Sequence, residues 1–183
     1  PSQVFRALET ALDDNRSFHF DKVVLLPRVQ RLSEGSSSVE GLEHAALIFE
    51  VVELFASGKL PSYLKQQERF APVMTQKRAQ KLQQICLRQL AETLADPESF
   101  DFSEFLDLLK HPLCADVLSV DANTKRLGQL LDLFAFRTLD SKQFQKLHAQ
   151  LSQQQITKLK KLSLASCAAE SKNLSYDTLK VSS

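Results

Sequence analysis

Ser166 and Cys167, in the run ASCAAE, are the side chains here that most resemble a nucleophile. A catalytic serine or cysteine needs a base beside it and an oxyanion site, often built on a sharp glycine turn. This run has no glycine and lies inside an amphipathic helical pattern, so core packing is expected. Asp101, Glu104 and Asp107 in FDFSEFLDLL form a carboxylate cluster. Acids at such positions favour a helix N-terminus, and that is the role expected here rather than acid–base catalysis. The histidines, His19, His44, His111 and His148, include no pair at i+3 or i+4, so the sequence offers no HExxH-type ligand pair. Cys86, Cys114 and Cys167 are odd in number and include no CxxC, which points to reduced, mostly buried thiols. The glycines, Gly35, Gly41, Gly58 and Gly128, form no phosphate-binding pattern. No catalytic, cofactor-binding or metal-ligating residue is therefore expected. The most basic local run is Lys142, Lys146, Lys158, Lys160 and Lys161. It reads as a solvated helix face, with contact to RNA phosphates or an acidic partner as the alternative. No interleaved aromatic platform for base stacking accompanies it.

The elements that must position these residues are helices. Only four glycines and no tryptophan occur, alongside many Leu, Gln, Lys, Ala and Glu. VVLL at Val23–Leu26 is too short for a strand and is ended by Pro27. The expected class is all-α. Hydrophobic residues make up 43% and charged residues 25%, the balance of an ordinary globular protein. A net charge of +1 gives no field that would draw the whole chain to nucleic acid or membrane. No apolar run approaches the roughly 18 residues of a spanning helix. The start at Pro1, without Met, points to a piece of a longer chain.

Caps and breakers divide the chain. Gln3–Leu12 is expected as a first helix, with Val4, Leu8 and Leu12 on one face. Asp21 follows Phe18-His19-Phe20 as the expected N-cap of a short helix ending near Pro27 or Leu32, and Ser33–Gly41 is a polar loop. Leu42–Ser57 carries Ile48, Val51, Val52 and Phe55 at helical spacing, with Gly58 to close it and Pro61 to start the next helix. Thr75 caps a long helix reaching about Ala95, and Asp96-Pro97 breaks it. Ser152 and Gln155 form a capping box before a stripe of Ile156, Leu159, Leu162 and Ser163, with Cys167 one turn later.

The second half echoes the first. Phe100-Asp101-Phe102-Ser103 mirrors Phe18-His19-Phe20-Asp21, again placing an expected cap after FxF. Leu127, Leu130, Leu131 and Phe134 answer Ile48, Val51, Val52 and Phe55. Ser152 answers Thr75, and Lys158-Leu159 answers Lys81-Leu82. The offset falls from 82 residues (Phe20 to Phe102) to 77 (Lys81 to Lys158). Ordered matches at a nearly constant offset point to an internal duplication, in which each helical unit needs a neighbour to bury its apolar face.

The order FDFSEFLDL, LLDLFAFRT, LSQQQITKLKKLSLAS and NLSYDTL resembles the PCI family, named for the proteasome lid, the COP signalosome and translation initiation factor three. Leu54–Gly58 and Ser62-Tyr63-Leu64 in the first half resemble the family's "FA-x-G, then a Tyr" segment, and Arg137 stands where the family tends to place Gly. The resemblance implies a right-handed α-α superhelix of helical repeats leading into a winged helix. Residues 1–95 would be one repeat unit, 96–173 a second, and 174–183 the start of a winged helix cut short at Ser183. It also implies a non-catalytic scaffold subunit, cytoplasmic and nuclear, binding other subunits of a PCI-containing complex. The signalosome is such a complex; it removes Nedd8 from cullins through a metalloprotease subunit elsewhere. The alternative is a PCI subunit in translation initiation or messenger export, with RNA or ribosome contact. Partner contacts are expected near Tyr63 and Tyr176, with the five lysines above as the RNA candidates.

Overall fold

The computed structural model describes residues 2–14, 20–24, 42–114, 116–136 and 142–170, and every regular element among them is a helix. The chain divides into two compact units, 1–89 and 90–183. The division falls inside the longest helix rather than after Ala95. The SEGSSSVEG loop and the winged-helix start at 174–183 lie outside the described residues.

In the first unit, α1 (Ser2–Asp13) buries Leu8 and Leu12. Helix α2 (Phe20–Val24) begins at Phe20, so Asp21 sits inside the first turn rather than capping it, and Phe20 is the buried anchor. It packs on α3 (Leu42–Ser57), as does α1. The expected stripe of α3 is the core: Ile48, Val51, Val52 and Phe55 are all at most 1% exposed. Four such side chains stabilise the unit by roughly 1.5–3 kcal/mol each on hydrophobic transfer alone. Gly58 closes α3 with φ +60, and Pro61 lies in the first turn of α4 (Leu60–Lys65). The one-turn α5 (Gln67–Phe70) buries Phe70. Then α6 (Gln76–Ala95) begins where expected, with the Arg78 N–H donating to Thr75 Oγ1 at 3.2 Å.

The second unit opens with the C-terminal turns of α6. Leu90 and Leu94 are buried there, 82 residues after Leu8 and Leu12. Asp96 turns the chain by accepting the Glu98 N–H. Ser103 does not cap: Asp101 Oδ1 accepts the Ser103 N–H at 2.8 Å just ahead of the 3-10 turn Ser103–Phe105, whose N-cap position is Phe102. Helix α7 (Leu106–Lys110) and the 3-10 turn Pro112–Cys114 bury Leu108 and Cys114. Helix α8 (Ala122–Phe136) starts at a reciprocal cap, with Thr124 N–H on Asp121 Oδ1 and Asp121 N–H on Thr124 Oγ1. It buries Leu130, Leu131, Leu133 and Phe134. Helix α9 (Lys142–Leu147) is followed by α10 (Gln153–Glu170). The capping box forms as read: Ser152 N–H donates to Gln155 Oε1 at 3.0 Å, and Gln155 N–H to Ser152 Oγ at 3.2 Å.

Candidate functional site

The lysines named by sequence differ in exposure. Lys142 and Lys146 are exposed, a turn apart on α9, and Lys160 is half-buried. Lys161 is exposed and pairs with Glu98 at 3.1 Å. Lys158 is fully buried and points inward, so it leaves the basic run. Tyr63 is also buried, its ring 6.3 Å from that of Phe70, and burial raises its phenol pKa. It is a packing residue rather than an exposed contact. Tyr176 and the side chain of Cys167 lie outside the described residues.

What Lys158 does instead is specific. Its ammonium donates to Thr93 O at 2.6 Å and Asp96 O at 2.8 Å, which are carbonyls at the end of α6. A helix end leaves its last carbonyls unpaired and carries partial negative charge, so a cation there satisfies both. The same ammonium lies 4.9 Å from the Phe102 ring centroid and 5.6 Å from that of Phe134. Phe102 thus connects the segment after α6 to α8 beneath one lysine from α10.

The first unit holds the same arrangement. Lys81 Nζ donates to Ala11 O at 2.8 Å, Leu12 O at 3.3 Å and Asp14 O at 2.6 Å, at the end of α1. It lies 4.7 Å from the Phe20 ring and 5.8 Å from the Phe55 ring, and those rings meet edge to face at 5.2 Å. Ala11 and Asp14 correspond to Thr93 and Asp96 at the same 82-residue offset that relates Phe20 to Phe102. Burial lowers the pKa of both lysines, opposed by Asp14 and Asp13 at Lys81 and by Asp96 at Lys158. The first unit also has an ion pair beside its lysine. There Arg78 clasps both Asp13 carboxylate oxygens at 2.7 and 2.8 Å and donates to Val73 O. The guanidinium holds the Asp13 carboxyl below the usual carboxylate range.

The remaining reactive types are dispersed. Asp101 is exposed, and its hydrogen bonds from Ser103 lower its pKa. His44 is exposed at 3.8 Å from Glu9, and His148 meets the Phe144 ring edge to face at 5.0 Å. Among the described residues no group of three or more His, Cys, Asp or Glu could hold a metal ion. No helix among them is long and apolar enough to cross a membrane.

An open cleft of about 400 Å³ lies wholly in the second unit. Phe100, Phe102, Phe134, Phe136, Leu162 and Ser166 form most of its wall. Two of these rings meet solvent: Phe100 is 39% exposed and Phe136 46%. Sequence reading missed the cleft because no motif marks it. The signal was Phe136, an aromatic two residues after the core residue Phe134 and therefore on another side of α8. Compared with protein-family models, curated proteins and solved structures, the chain finds no match.

Proposed function

We propose that the chain is a non-catalytic scaffold subunit of a multi-protein complex, built as two similar halves of a right-handed helical repeat. In this reading it is a PCI-type protein most similar to subunit seven of the COP signalosome. It would serve cullin deneddylation and ubiquitin-ligase regulation in cytoplasm and nucleus. The observation that carries the reading is the recurrence of the buried lysine. Lys81 and Lys158 each close a helix end and stack on two phenylalanines, at matched positions in sequence. A coincidence would have to reproduce the carbonyls, both rings and the lysine in the same order, at offsets that fall only from 82 through 79 to 77. Tandem helical units with a common internal device suit a protein whose work is to present surface.

Affinity purification from the source cell with mass spectrometry of the partners tests this. Cullins and signalosome subunits are expected among them. Initiation factors, export factors or ribosomes in their stead would overturn the signalosome reading.

A further inference from the structure

The two units differ around Gln89 and its counterpart, where their shared register can be followed. Lys81 answers Lys158 at an offset of 77, and by the same offset Gln89 answers Ser166 and Ile85 answers Leu162. In the first unit the Gln89 carboxamide lies against Gly58, so closely that a Cβ on Gly58 would overlap it. Ile85 is 1% exposed there. In the second unit Ser166 is too short to fill the equivalent space, and Leu162 is only half-buried. Phe136 stands where the first unit has Ser57, two residues after the core phenylalanine in both. The cleft thus lies where the register places Ser166 for Gln89 and Phe136 for Ser57.

Its charges are also arranged. Lys110 Nζ lies 4.9 Å from the Phe136 centroid, and Lys161 Nζ lies 5.7 Å from that of Phe100. Each exposed ring therefore carries a lysine. Lys161 is held by Glu98, whose side chain is 76% exposed, and such a surface pair exchanges for another carboxylate at little cost. Asp101 also lines the cleft and is held anionic by Ser103. The lysines flank the cleft rather than line it, so acids on an occupant belong at its edge beside Lys110 and Lys161, with an apolar anchor against the rings.

We propose that this cleft docks a short acidic–apolar segment of a partner protein, seated by an apolar side chain against Phe100 and Phe136 and by carboxylates on Lys110 and Lys161. The proposal rests on the scaffold reading and specifies one contact of it. An apolar anchor in a pocket with a polar rim is the usual form of such contacts.

The probe is a fluorescein-labelled peptide carrying Leu-Phe between two runs of glutamate, followed by anisotropy against the full chain. Saturable binding is expected, weakened about tenfold or more by Ser166→Gln, which installs the first unit's filler, and by Lys110→Glu. Phe136→Ser is the second cleft variant, and circular dichroism checks that each variant is folded. Equal binding of a Leu-Phe peptide flanked by lysines would overturn the proposal. So would equal binding of a glutamate peptide with Ser-Ser at its centre, unchanged binding by folded S166Q and F136S, or no saturable binding at all. Co-purifying subunits retained by S166Q alongside a failed peptide titration would overturn the cleft and leave the scaffold reading standing.

Discussion

A buried lysine is expensive, and Lys81 and Lys158 each have a specific compensation. Their ammonium protons meet carbonyls that a helix end leaves orphaned, and their charge meets ring faces. Lys158→Met keeps most of the stem packing but strands two carbonyls. We expect it to destabilise the fold by about 1–3 kcal/mol in urea unfolding, with Lys81→Met similar. The pH dependence has a definite sign. Burial lowers the folded pKa of Lys158 below the ordinary 10.5, so between those values the unfolded chain binds more protons. Stability from this group rises as pH rises through that window, and the gap between wild type and K158M should widen there. Tyr63 is common to both proteins and cancels. The sequence disguised these lysines because Lys158 sits in a run, KLKK, that reads as a solvated face. The available clue was spacing. Lys81 precedes Ile85 and Lys158 precedes Leu162 by one helical turn, which puts each lysine on the stripe that turns inward.

Helix limits were the most legible level, because caps are local chemistry. Thr75 and the Ser152–Gln155 pair act where a short-range pattern says they must. The FxF segments were misread by one or two residues. Asp101 reaches the Ser103 N–H, and Phe20 itself begins α2. Asp121-x-x-Thr124 was equally local and went unread. Gly58 gives the sharpest test at this scale. Its φ of +60 strains any Cβ, and that Cβ would also overlap Gln89. Gly58→Ala should cost about 1–3 kcal/mol, combining left-handed strain with displacement of Gln89. A thermal melt within experimental error of wild type would contradict this.

At the scale of the whole chain, the all-helical class was legible from composition. The place of division was not. Asp96-Pro97 looks like the boundary because it breaks a helix, yet the compact units part between Gln89 and Leu90. The register explains it. Residues 84–95 of α6 stand 82 positions after 2–13, so the C-terminal part of this helix does for the second unit what α1 does for the first. Leu90 and Leu94 belong with the lysine that follows them, as Leu8 and Leu12 do.

A helix serving as the end of one unit and the start of the next also makes the chain editable in whole frames. Ala11, Leu12 and Asp14 occupy the same frame positions as Thr93, Leu94 and Asp96. Excising residues 14–95 joins Asp13 to Asp96 without shifting the frame. Lys158 then faces the carbonyl of Ala11 where it had that of Thr93, and Leu8 and Leu12 stand in for Leu90 and Leu94. The shortened chain should fold cooperatively in a circular dichroism melt, and an excision displaced by two residues should not. In such a chain a single ammonium group acts as the splice check, accepting only joins that return a helix end to its reach.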